Sequence, residues 1–273
     1  MIESGEFPES SSTGLDIADT EANVAAFARP GSAREDRVRA LPQVRLVGVA
    51  ECATHAIVNA VVGERSDAQQ RLVATLRDAL APDMLLLGDR GFFSFALWEG
   101  AKATGADLVW RTTSSHVLDV QRRLSDGSHL SVISPCTPDR RHDTKGLSVR
   151  VIEYSLGDSD DATYRLLRTM LDPKTARARE LAALHRERWE FETAFDELKS
   201  HQRSPRVVLR SKMPDGVLQE VYPYLCVHYA IRRLTHAAAV SADAGPDRLS
   251  FTRTLRVARR STASHPGRSP SGA

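Results

Sequence analysis

Apolar residues fall in short runs through the first two thirds of the chain and adopt a helical period in the last third. Two β-branched runs, from Val44 to Val49 and from Ala56 to Val62, joined through Glu51-Cys52-Ala53-Thr54-His55, predict a β-hairpin. From Asp67 to Leu80, Leu72, Leu76, Ala79 and Leu80 recur at helical spacing and predict a helix. Met84-Leu85-Leu86-Leu87 is wholly apolar and is stopped by Gly88-Asp89-Arg90-Gly91, the pattern of a buried strand with an acid at its tip. A helix from Leu97 to Thr104 and a strand at Leu108-Val109-Trp110 follow. Strand-like runs then recur at 117–120, 130–133, 149–154 and 164–167. After Asp172-Pro173 a long helix is expected to about Ser200, and another from Gly216 to Ala239.

The ends lack this patterning. Residues 1–14 are rich in Ser, Glu, Gly and Thr and are expected to be a disordered leader. Residues 246–273 hold six arginines and one aspartate among Ser, Gly and Pro, so 241–273 is expected to be a disordered basic tail. Between them, a hydrophobic content of 41% over 273 residues is enough for a real core. A net charge of only +2 carries no case for nucleic acid, so charge placement must do so. The three cysteines, Cys52, Cys136 and Cys226, lie far apart and match neither a disulfide framework nor a zinc spacing. No apolar run approaches the roughly 18 residues of a membrane span, and Met1 is not followed by a signal-peptide pattern. These features point to the reducing cytoplasm and away from a membrane.

Chemistry concentrates between His185 and Lys199. At about 100° per residue from Leu184, Phe191, Phe195 and Leu198 fall within about 40° and form a core stripe. Arg188, Lys199, Glu192 and His185 fall at roughly 40° to 100°, a polar strip along its border. Spacing alone favours an ordinary i,i+4 Arg–Glu pair on a solvated face.

The strip nevertheless resembles the Y-x2-R-x3-E-x6-K signature of the DDE transposases of the insertion-sequence-four family, with Arg188, Glu192 and Lys199 at its last three positions and His185 in place of the tyrosine. Asp16-Ile17-Ala18-Asp19-Thr20, Phe27-Ala28-Arg29-Pro30-Gly31, Pro42-Gln43-Val44-Arg45-Leu46 and Leu87-Gly88-Asp89-Arg90-Gly91 extend the resemblance, in the family's order, over about residues 13 to 240. It implies an α/β fold, a ribonuclease-H-like core (15–111 and 172–240) interrupted by a β-rich insertion (112–171). It further implies Asp89 and Glu192 as catalytic, metal-holding carboxylates, His185, Arg188 and Lys199 on DNA, and Mg²⁺ or Mn²⁺ as cofactor. The expected partners are double-stranded DNA, both the terminal repeats and the target, and a second copy in a synaptic homodimer, with the protein nucleoid-associated. The family's first catalytic Asp would fall near Ser11, where a hydroxyl cannot replace a bridging carboxylate. This chain is therefore expected to be an amino-terminally truncated or frameshifted transposase with impaired catalysis, unless Asp16 or Asp19 substitutes. A silent DNA-binding remnant and a metal-dependent nuclease without strand transfer are the alternatives. Trp110, Trp189 and His55 are expected to be structural.

Overall fold

Strand-forming runs with two apolar faces require cover on both sides, and the fold supplies it as one mixed sheet between two helical layers. The computed structural model describes residues 2–4, 14–30, 40–64, 69–113, 116–135, 146–155, 163–187, 189–202 and 207–264. The strands are β1 (Ile2–Ser4), β2 (Gly14–Asp16), β3 (Gln43–Ala50), β4 (Ile57–Glu64), β5 (Leu85–Gly88), β6 (Asp107–Thr112), β7 (Arg122–Arg123), β8 (His129–Ile133), β9 (Leu147–Ser155) and β10 (Thr163–Arg168). They lie in the order β2-β3-β1-β5-β6-β10-β9-β8-β7, with β4 also paired to β3. β1 is antiparallel to β3 but parallel to β5, and β5 is parallel to β6. The expected hairpin is β3–β4.

Alternation along the strands separates the cores. Val47, Val49, Leu86, Leu108 and Trp110 face one way, under Leu72, Val73 and Leu76 of the segment α2 (Gln69–Ala74) with its 3₁₀ continuation, and under Leu97, Trp98 and Ala101 of α3 (Phe95–Lys102). Val44, Leu46, Ala50, Leu87 and Val109 face the other way, under α1 (Glu21–Phe27), α4 (Ala178–Glu187), α5 (Trp189–Asp196) and α6 (Pro214–Ser241). Each fully buried aliphatic side chain contributes about 1.5–3 kcal/mol to this arrangement.

Several expectations change. Of the leader, Ile2–Ser4 is a strand in the middle of the sheet, where it satisfies the facing edges of β3 and β5; residues 5–13 lie outside the described residues. Within the tail, Phe251–Ser264 is a helix, α7. Its arginines suggest a solvated arm, but Phe251 and Leu255 are buried, and with Ala258 they pack on Ile231 of α6. Residues 117–120 are not a strand, and Val117 and Val120 are 63% and 48% exposed, their alternation having no partner strand. The helix expected to about Ser200 is found as α4 and α5 on either side of residue 188, which lies outside the described residues, and ends in a π-helical turn at Glu197–Gln202. Strands β7 to β10 continue the central sheet through the β10–β6 pairing.

Candidate active site

Asp89 stands one residue past β5 with an extended backbone, φ −83° and ψ 164°. Alternation therefore places it on the same face as Leu87, the face that α4 to α6 cover. Its main chain is pinned by Trp110, whose Nε1–H donates to the Asp89 carbonyl at 2.8 Å. Gly88 permits this, because a Cβ there would lie 2.4 Å from the indole ring. The Asp89 side chain is 17% exposed, and Arg111 Nη1 lies 3.9 Å from Oδ1, a charge contact beyond hydrogen-bond range. The Arg111 guanidinium sits 4.6 Å over the Tyr164 ring, which stacks on Tyr154 at 5.4 Å. Tyr154 Oη meets His185 Nδ1 of α4 at 3.4 Å. A continuous path of side chains thus joins the strand-end acid to the helix that opens the sequence signature.

Backbone register relates the second half of the signature to the same acid. Ser4 pairs with Gly88 on one side and Val49 on the other; Asp89 and Gly48 of β3 each lie one residue further in the same direction. Phe195 of α5 seats there; a Cβ on Gly48 would stand 3.0 Å from Phe195 Cζ. Two interstrand spacings, about 10 Å, separate these positions. Glu192 lies one helical turn ahead of Phe195 in α5.

Of the expected DNA-contacting residues, His185 is buried at 4% exposure rather than displayed. Lys199 is half-buried on the π turn. Arg188 and the side chains of Glu192 and Trp189 lie outside the described residues. Phe195 and Leu198 are fully buried, as their stripe requires. Trp110 is core, 1% exposed.

Sequence reasoning missed Glu197. An ideal helix starting at Leu184 turns it away from the core stripe, yet it is 5% exposed because α6 covers that side too. Arg232 Nε donates to Glu197 Oε2 at 2.9 Å and a second nitrogen bonds Oε1, while His228 Nε2 stands 3.3 Å from Oε2. Arg232 also donates to His55 Nδ1 at 3.0 Å, which gives this hairpin residue its partner. Burial is the main reason the His228 pKa is lowered, against the pull of Glu197. The available signal was an unusual His228-x3-Arg232 spacing on one face of a long helix.

A shielded carboxylate at a strand tip suits a hard divalent cation. Among the described residues no three His, Cys, Asp or Glu side chains converge as a metal site. Any such ion would draw on Asp89 and on side chains outside the described set, Glu192 first. Asp16 and Asp19 are committed elsewhere. Asp16 accepts from Gln43 Nε2 at 2.7 Å, and Asp19 pairs with Arg29 at 2.6 Å. Asp16 is level with Gln43, five positions from Gly48 along β3 and so about 17 Å from the level of Asp89.

Known proteins are similar to this chain in sequence and in fold. The transposase InsG of insertion sequence element IS4, from Escherichia coli (strain K12), is 27% identical over 256 residues, covering 92% of this chain. A piggyBac transposase chain, from a synaptic complex with hairpin DNA, superposes with a TM-score of 0.54 at 10% identity over 93% of this chain. The chain spans 57% of the first relative and 50% of the second. Among the described residues no helix is long and apolar enough to cross a membrane. The family described as Transposase DDE domain matches residues 12–228, and the chain belongs to it, as a DDE transposase of the IS4 kind.

Proposed function

We propose that this chain carries the DNA-cutting and DNA-joining core of an insertion-sequence transposase, a ribonuclease-H-like sheet with β7 to β10 as its insertion. The observation that carries this reading is Asp89, held at a strand tip by Trp110, on the sheet face covered by the signature helices and level with the Phe195 seat. Asp89 and Glu192 would hold Mg²⁺ or Mn²⁺, which when bound supplies charge neutralisation and activation for phosphoryl transfer. Arg188 and Lys199 hold backbone phosphates of the transposon end; a forked guanidinium and a point ammonium suit that task. His185 supports this strip from beneath, through Tyr154. The double-stranded DNA of the terminal repeats and target is the partner, engaged by two copies of the protein. With Ser11 at the place of the first acid, Asp16 too distant and Asp19 paired with Arg29, cleavage by this sequence is impaired.

The test is Mg²⁺-dependent nicking and joining of terminal-repeat oligonucleotides by the chain and by a Ser11→Asp variant, each with and without Asp89→Ala. Joined product that vanishes with Asp89→Ala is the expected result for Ser11→Asp. Cleavage without joining would instead assign a nuclease, and binding alone a catalytically silent remnant. Strong cleavage by the unmodified chain would refute the impairment.

A further inference from the structure

Helix α7 shows two faces. With Leu255 at zero and about 100° per residue, Phe251 and Ala258 lie within about 60° of it, the side that packs on α6. Arg253, Arg256 and Arg260 fall between about 100° and 160°, a narrow strip on the opposite side. All three are exposed. At 1.5 Å per residue the strip is about 10 Å long. No acidic residue occurs from Leu249 to Ala273, so nothing on this helix neutralises it.

The helix is also fixed to the signature segment. Arg259, on the packed side, donates to the Gln202 carbonyl at 2.8 Å, at the end of the π turn that carries Lys199. Phe251 lies against His228 at 5.2 Å and under Arg232 at 5.3 Å, the two residues that hold Glu197 in that same turn. Thr235 Oγ1 and Thr254 Oγ1 meet at 3.2 Å. The arginine strip therefore has a set position relative to Lys199.

We infer that Arg253, Arg256 and Arg260 form a second DNA-backbone contact, which extends the track that begins at Lys199; this rests on the transposase reading. The charge pattern selects the partner. A protein interface of this size needs an apolar centre, whereas the only large apolar side chain exposed on α7 is Val257. Insertion into a lipid surface would need the apolar face that α6 already covers. A regular polyanion needs only the spaced guanidinium groups.

The experiment measures binding of a random-sequence DNA duplex across a salt titration, because phosphate contacts are independent of sequence. In the full chain, the triple variant Arg253→Ala, Arg256→Ala, Arg260→Ala is expected to bind roughly 10-fold to 100-fold more weakly and to lower the log–log salt slope by about 2 to 3. Triple substitution by Lys should restore most of the slope, since each contact is made by charge. An unchanged melting transition would show that the loss is not unfolding. A slope unchanged in the Ala variant, while the parent binds and Lys199→Ala weakens binding, overturns this inference alone. No DNA binding by the parent overturns the transposase reading together with it. Loss of binding to phosphatidylserine vesicles with DNA binding intact would assign the strip to a membrane surface instead.

Discussion

Two buried ionic clusters sit on opposite sides of the Asp89 site, and they are built differently. At the end of the signature helix, Glu197 is held by Arg232 and His228, one carboxylate matched to one permanent cation. In the sheet, Arg150 and Arg168 are cross-strand neighbours on β9 and β10, each with no exposed surface; they share the field of Asp126, with a further pull from Asp172 on Arg150 and from Asp107 on Arg168. Asp126 bonds Arg150 and accepts from Ser128, so Arg150 is compensated. Arg168 is not: Nη1 donates to the Ala176 carbonyl at 3.0 Å, while Nε and Nη2 have no hydrogen-bond partner among the described residues. Burial, then repulsion from Arg150, pushes its pKa down to about 10. A balanced pair is destabilised by the loss of either partner, whereas a surplus charge is a standing cost.

That contrast can be broken at either cluster. Arg232→Ala leaves Glu197 buried without its cation and should destabilise the protein by about 3–5 kcal/mol in urea unfolding; a loss within experimental error would mean that water reaches the carboxylate. Arg168→Met should act in the opposite direction. It removes the surplus charge, and Arg150 still donates to the Ala176 carbonyl at 3.1 Å, so a gain of about 1–3 kcal/mol is expected. A destabilised Met variant would show that Arg168 has a compensating partner.

The smallest effect separates the clusters by pH. The folded pKa of His228 lies below its ordinary 6.5, chiefly through burial, so the unfolded chain binds the extra proton first and stability falls as pH drops below about 6.5. For Asp126, burial alone would raise the pKa, but hydrogen bonds from Ser128 and the charge of Arg150 outweigh it and lower the carboxyl below 3.8. Its contribution is complete above that value and is lost only as pH falls through the lower folded pKa. His228→Asn should therefore reduce the slope of the unfolding profile just below pH 6.5, where His129, also lowered by burial, keeps its share, and leave the steeper acid limb unchanged. A profile that keeps its slope there would place the titration on another group.

Much of this was legible in the sequence where one face of an element decides its fate. Leu86 and Leu87 in a four-residue apolar run sufficed for β5 and for an acid at its tip. The period of Phe195 and Leu198 sufficed for their burial. Glu197 was not legible, because a helical wheel assumes one covered side and α6 covers a second. The π turn was hidden for a related reason, since a single spacing of 3.6 residues cannot register a local change of hydrogen bonding. Helix α7 was obscured by composition, its four arginines outweighing three apolar residues at helical spacing. Strand β1 escaped notice because its place is created by the gap between β3 and β5, a tertiary fact that Ile2-Glu3-Ser4 does not announce.

Gly48 works as a shim of zero thickness. Phe195 rests directly on the β3 backbone, so the gap between sheet and α5 is set by the absence of one methyl group. Any side chain at position 48 would have to lift that helix by a fraction of an ångström or turn the ring aside. A change at position 48 would therefore move the helix that carries Glu192 while every acid and every cation of the signature stayed in place.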